Sequence, residues 1–274
     1  CLVFRFSQKE TKMKTPISYY GGKQELAKKI ISLIPSHKTY CEPFIGGAAI
    51  FFAKPVSKAE IINDINSEVI NFYEVLKHDF SALQAEIEIS LHSRKLYQHA
   101  HVIYENPDMF DRIKRAWAFW MLANMSFNNS LTAGFKHDKI GKTTCSIAHK
   151  RQQFTEEMAI RLQNVQIECC DALKIIRQND NGETFFYLDP PYVGACQGHY
   201  DGYSQSDFNE LIDLLANIEG KFLLSSFRNT YLSEASKRYG WSQIELKMNT
   251  HPSFIPDQHK SKIEVLTANY SISL

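Results

Sequence analysis

Short apolar runs separated by longer amphipathic stretches recur along this chain. Strand-like runs fall near Tyr40, Ile61, Val165-Gln166-Ile167-Glu168, Phe185, Phe222-Leu223-Leu224 and Ile263-Glu264-Val265. Helical patterns lie between them, as in Gln24 to Leu33 and Phe208 to Leu215, and the alternation predicts an α/β fold. The pattern breaks between the second and third strands. There, Phe72 to Asn124 reads as mostly helical and leads into a basic, turn-rich loop. No repeat or low-complexity linker separates this insertion, so it is expected to pack on the core. The spacing of Trp117-Ala118-Phe119-Trp120-Met121-Leu122 favours a core helix over a base-stacking surface.

Candidate chemistry concentrates where strands end. Asp189-Pro190-Pro191-Tyr192 follows the apolar run Phe185-Phe186-Tyr187-Leu188. Two prolines remove both N–H groups, leaving the Asp189 carboxylate and the Pro190 carbonyl as outward acceptors beside the flat face of Tyr192. Acceptors paired with an aromatic plane suit the exocyclic amino group of a flipped nucleobase; a Pro-rich turn is the plainer alternative. Upstream, Thr39-Tyr40-Cys41-Glu42-Pro43-Phe44-Ile45-Gly46-Gly47-Ala48-Ala49 reads as a strand, a glycine turn and a helix. Its glycines let a ligand approach the backbone, although the dinucleotide fingerprint is absent. Asp64 then ends a second apolar strand, either to hold ribose hydroxyls or to cap the helix beginning near Glu68. Asp171 leaves the same choice, since it opens the helical stretch Ala172-Leu173-Lys174-Ile175-Ile176.

Six segments, in order, resemble the Dam-type DNA adenine methyltransferases, which use S-adenosylmethionine. They are Tyr19-Tyr20-Gly21-Gly22-Lys23, Glu42 through Gly47, Asp64, Cys169-Cys170-Asp171-Ala172, Asp189 to Tyr192, and Lys262 through Tyr270. Tyr19 stands where many relatives carry Trp, and Ala172 where they often carry Phe. The resemblance implies a class I, Rossmann-like methyltransferase sheet with an inserted, mostly helical target-recognition domain. Its bounds would be 13–71 and 165–274 for the catalytic domain and 72–164 for target recognition, with residues 1–12 an extension. The resemblance further implies a catalytic set of Asp189, Pro190, Pro191 and Tyr192. The cofactor set it implies is Tyr19, Lys23, Glu42, Phe44, Gly46, Gly47, Asp64, Asp171 and Asp189, with Lys23 near either the cofactor carboxylate or Asp189. The expected reaction is methyl transfer to the 6-amino group of adenine in duplex DNA after base flipping. The alternatives are an amino-methyltransferase acting on RNA or cytosine, and an inactive DNA-binding module. A bacterial or phage origin, a cytoplasmic location and a cognate restriction endonuclease as partner go with the family.

Composition changes this picture little. With 274 residues, 44% of them hydrophobic, the chain can bury a substantial core. A formal net charge of +1 does not announce a nucleic-acid binder. Placement says more, because residues 124–151 carry Lys136, Lys139, Lys142, Lys150 and Arg151 against Asp138 alone. Those cations are expected at DNA phosphates, with Asn128, Asn129 and Lys136 able to reach base edges unless the asparagines merely shape a turn. Cys1, Cys41, Cys145, Cys169, Cys170 and Cys196 form no CxxC pair, which predicts reduced thiols. His99 and His101, like His251 and His259, lack partners at zinc spacing, so no metal is expected. No apolar run approaches the length of a membrane span.

Overall fold

The computed structural model describes residues 13–192, 203–247 and 263–273. Seven strands build one sheet: β1 (Thr39–Glu42), β2 (Ala59–Asn63), β3 (Val165–Glu168), β4 (Thr184–Leu188), β5 (Lys221–Ser226), β6 (Ser242–Lys247) and β7 (Ile263–Ala268). Their order is β3-β2-β1-β4-β5-β7-β6. The first five run parallel, while β7 is antiparallel to β5 and to the edge strand β6. All six strand-like runs of the sequence are strands. The edge strand β6 was not anticipated: in Ser242-Gln243-Ile244-Glu245-Leu246-Lys247 only Ile244 and Leu246 are apolar.

Alternate residues of the central strands supply two cores. Tyr40, Phe185, Tyr187 and Leu223 face one side and Cys41, Phe186, Leu188 and Leu224 the other, as the two-residue period of a strand requires. Every residue of β4 is buried, the expected state of a parallel strand covered on both faces. The first face is covered by α1 (Ala27–Ser32), α2 (Ala49–Ala53) and α3 (Ser67–His78), together with the insertion helices α4 (Phe80–Glu88), α5 (Arg94–Glu105), α6 (Arg112–Met125), α7 (Lys142–Gln153) and α8 (Glu156–Leu162). On the second lie α9 (Ala172–Asn179), α10 (Gln205–Leu215) and α11 (Thr230–Tyr239).

Within the insertion, α6 carries the Trp117–Leu122 run as core, and the Trp117 indole donates to Ser90 Oγ at 2.7 Å. The 71/72 boundary falls inside α3, so residues 72–164 share the core of the sheet's first face. Lys142–Gln153, read from sequence as part of the basic loop, is helix α7. Gly141 in the left-handed region (φ 78°) turns the chain into that helix. The extension 1–12, Cys1, Cys196, His251 and His259 lie outside the described residues. Cys41, Cys145, Cys169 and Cys170 are free thiols. Among the described residues no helix is long and apolar enough to cross a membrane, and no group of three or more His, Cys, Asp or Glu side chains is arranged to hold a metal.

The order of the sheet reverses between β1 and β4, which lie side by side with Cys41 opposite Phe186. A crevice outside the carboxyl ends of two such strands is where doubly wound sheets bind ligands. Glu42 ends β1 and Asp189 follows β4, so topology alone brings both acids to that crevice.

Candidate active site

Four chain segments meet at the crevice: Tyr19–Lys23, Glu42 with Phe44–Ile50, Tyr187, and Asp189–Tyr192. Of the sequence-predicted residues, Tyr19, Lys23, Glu42, Phe44, Gly46, Gly47, Asp189, Pro190, Pro191 and Tyr192 line it together.

The first segment is a tight turn. Gly22 N–H donates to the Tyr19 carbonyl at 3.0 Å, and Gly21 takes a positive φ of 74°. The turn aims Lys23 inward, where its ammonium is nearly buried and donates to both Asp189 oxygens at 2.8 Å and to the Gly21 carbonyl at 2.9 Å. Lys23 therefore sits at Asp189, the choice that spacing left open. Tyr19 is buried against Phe119, with ring centroids 6.1 Å apart.

The glycine loop is held from behind. The Gly46 carbonyl accepts from the Tyr73 hydroxyl at 2.7 Å, and the Gly46 N–H donates to Asp64 Oδ2 at 3.0 Å. Gly47 is where another residue would not fit, since a Cβ there would stand 2.7 Å from Tyr19 Cβ. Ala48 follows in the left-handed region at φ 53°, a strained conformation for a residue with a side chain. Asp64 also accepts the Asn66 N–H at 2.9 Å, and Asn66, not Asp64, caps α3 by accepting from Glu68 N–H. Asp171 caps α9 through the Lys174 N–H at 3.1 Å and does not line the crevice.

Three residues that the sequence reading passed over complete the centre. Glu264, on β7, is 1% exposed and accepts hydrogen bonds from the hydroxyls of Tyr192 and Ser225. The Tyr192 hydroxyl also reaches Asp189 Oδ1 at 3.1 Å. Phe227 packs on the Tyr192 ring with centroids 4.3 Å apart. Glu264 looked like one member of an alternating strand, and nothing local distinguishes such an acid from a solvated one.

Burial governs the electrostatics. It raises the proton affinity of the Asp189 carboxyl, against which the Lys23 ammonium pulls downward and the Glu264 carboxylate adds a further rise. The Tyr192 phenol is held well above its ordinary range by burial and by Asp189 and Glu264, so it stays a hydrogen-bond donor. Glu42 is pushed up to about 8 by burial, opposed by a 2.6 Å hydrogen bond from Tyr40, with Asp189 adding to the rise. With Glu42 holding its proton at neutral pH, the carboxyls of Asp189 and Glu264 still outnumber the one lysine in this narrow, glycine-floored crevice. The buried Tyr187 hydroxyl also lines it. A cationic ligand answers that charge.

The insertion presents the expected DNA residues in different settings. Asn128 and Asn129 both take positive φ (54° and 57°) in the short turn Phe127–Asn129, a conformation Asn tolerates better than most residues. That turn exposes Phe127 and closes through a bridge between Ser126 and Phe135. Lys139 and Lys142 are exposed, and Lys136 is half-buried with its carbonyl accepting from His92 at 3.0 Å. Half-buried Lys150 is lowered to about 8 by burial and then by neighbouring Lys14. Arg151 is engaged within the protein, donating to the carbonyls of Glu88 (3.1 Å) and Ser90 (2.9 Å).

Residues 19–250 match the family model for D12 class N6 adenine-specific DNA methyltransferase. The chain is 27% identical over 224 residues to the type II methyltransferase M.MjaIII of Methanocaldococcus jannaschii, covering 72% of this chain and 76% of that one. It is 27% identical over 274 residues to the type II methyltransferase M1.LlaDCHI of Lactococcus lactis, covering 91% and 93%. A DNA adenine methylase of Vibrio cholerae is 24% identical over 72% of each chain.

Proposed function

The chain belongs to the D12 class of N6 adenine-specific DNA methyltransferases, and from that premise we propose how its residues carry the reaction. The enzyme transfers a methyl group from S-adenosylmethionine to the 6-amino group of adenine in DNA. Bound in the crevice, the cofactor supplies an electrophilic methyl on a sulfonium. The adenine amino nitrogen is a poor nucleophile because its lone pair is delocalised into the ring. Asp189 and the Pro190 carbonyl accept its two N–H bonds and so favour the pyramidal nitrogen that attacks in line. As the N–C bond forms and the S–C bond breaks, one N–H proton must leave. Asp189 is placed to take it, since burial raises its proton affinity. Tyr192, backed by Phe227, supplies the aromatic wall for the flipped base.

Glu42 and the Gly46-Gly47 loop receive the cationic, amino-acid end of the cofactor. Asp64 acts first through the loop it fixes, accepting the Gly46 and Asn66 N–H groups, and its carboxylate is the group we assign to the ribose hydroxyls. Exposed Lys139 and Lys142 meet DNA phosphates, and the Phe127–Asn129 turn is the element for base contacts. The type II names of the Methanocaldococcus jannaschii and Lactococcus lactis relatives support a pairing with a restriction endonuclease, and a DNA substrate fits a cytoplasmic location.

The observation that carries this reading is the Lys23-bound Asp189 carboxylate at the end of β4, beside the glycine loop. Its test is Asp189→Ala under single turnover. The rate should fall on the order of 100-fold or more, with the fold intact. Turnover close to the parent's would remove Asp189 from the mechanism.

A further inference from the structure

Asp189 is already hydrogen-bonded before any substrate arrives, with a fifth of its side chain still open. Lys23 bridges both of its oxygens at 2.8 Å, and the Tyr192 hydroxyl stands 3.1 Å from one of them. An adenine amino group seeking the same carboxylate must therefore compete with two donors already in place.

Both donors have a second carboxylate within reach. Glu264 Oε1 lies 3.7 Å from the Lys23 ammonium and already accepts from the Tyr192 hydroxyl. It is 1% exposed, and the Ser225 hydroxyl holds it from the neighbouring strand. Ser225 pairs with Leu266 in the β5–β7 ladder, so the carboxylate is carried by sheet rather than by a mobile loop. A buried acid at this strand position gives the core no packing advantage over an apolar residue, and two of the groups around it, Lys23 and Tyr192, are the ones that hold Asp189.

We propose that Glu264 is a positioning residue: it is the alternative seat that takes the Lys23 ammonium and the Tyr192 hydroxyl as the adenine amino group takes Asp189. Closing from 3.7 Å to hydrogen-bond distance needs a swing of about 1 Å at the end of the flexible lysine side chain. Charge stays balanced through the exchange, because Lys23 passes from one carboxylate to another without leaving the cluster. Tyr192 need not turn at all, since its hydroxyl already lies between the two acids. The inference rests on the reading that Asp189 accepts the amino group.

The test compares the parent, Glu264→Gln, Glu264→Asp and Asp189→Ala. It measures single-turnover methylation of plasmid DNA from a methylation-free host, and S-adenosylmethionine affinity by calorimetry. Glutamine keeps the size and an acceptor for Tyr192 but offers Lys23 no charge. E264Q should slow transfer on the order of tenfold or more, with cofactor affinity within about threefold of the parent, and E264D should recover most of the rate. A purely structural residue would not show that split or that rescue. E264Q transfer within about threefold of the parent would overturn the proposal, as would a loss of affinity that parallels the loss of rate, or E264D as slow as E264Q. If E264Q does not fold, Ser225→Ala, which removes one hydrogen bond from the Glu264 carboxylate, carries the same comparison: slower transfer at unchanged affinity supports the exchange, and the parental rate overturns it. D189A separates the two readings, because near-normal turnover there would remove the premise, whereas an inactive D189A beside a normal E264Q would sink the Glu264 role alone.

Discussion

Glu42→Gln at the crevice should change both the pH dependence of stability and the proton balance of cofactor binding. Glu42 is buried, with a pKa of about 8 in the folded protein against an ordinary 4.5. A carboxyl whose folded value is raised keeps its proton in the native state while the unfolded chain sheds it. Stability is therefore lost as pH climbs from about 4.5 toward 8 and levels off above that. At about 1.4 kcal/mol for each tenfold in proton affinity, this one group costs on the order of 3–5 kcal/mol at pH 8. Glutamine keeps an acceptor for the Tyr40 hydroxyl and has nothing to titrate, so E42Q should be more stable than the parent at pH 8 by a sizeable part of that amount. The two proteins should converge near pH 4.5. The second consequence is sharper. If the cationic end of S-adenosylmethionine lies against Glu42, binding at pH 7 should ionise the carboxyl and release up to about one proton. Calorimetry in buffers of different ionisation enthalpy reads that proton directly. The parent should show release at pH 7 and little at pH 9, and E42Q markedly less at pH 7. Equal proton release by parent and E42Q, or equal stability at pH 8, would refute the placement of a neutral Glu42 in the crevice.

Gly47→Ala should destabilise the fold by about 1–3 kcal/mol, because its Cβ would collide with Tyr19 Cβ; an unchanged melting temperature would show that the loop yields. The pair Lys139→Ala and Lys142→Ala should weaken DNA binding on all sequences and lower the salt slope by about one per lost phosphate contact, leaving the methylated site unchanged. A parental slope would move the DNA backbone away from these lysines. Arg151→Ala should behave differently, lowering thermal stability through the freed carbonyls of Glu88 and Ser90 while changing the salt slope little.

The middle of the sheet was legible because β2, β4 and β5 are apolar runs bounded by polar chain, and burial along nearly their whole length leaves such runs no other explanation. β6, at the edge opposite β3, carries no apolar run and mixes Ser, Gln, Glu and Lys with only Ile244 and Leu246. Asp189 to Tyr192 could be placed at a strand end from local pattern alone, and so could the glycine loop. What joins them could not. Lys23 and Asp189 are 166 positions apart, and spacing says nothing about which acid a lysine will meet. Glu264, Ser225 and Phe227 belong to the site only because β5 and β7 pair beside β4, a tertiary fact without a local signature. The capping question also turned on two residues of register. Asn66 stands two residues beyond Asp64 and took the cap, which released Asp64 to tie down Gly46. At Asp171 the same chemistry favoured the cap. In the insertion, Lys142 to Gln153 resembled a loop because Thr143-Thr144-Cys145-Ser146 are weak helix formers, and packing of Ile147 outweighs them.

The central claim is that this crevice methylates the 6-amino group of adenine in DNA through Asp189. The most direct measurement expresses the parent and D189A in a methylation-free host and sequences the modified bases of the recovered DNA. The account predicts N6-methyladenine within a defined recognition sequence for the parent and none above background for D189A. Methylated cytosine in its place, or the same adenine methylation from D189A, would contradict it.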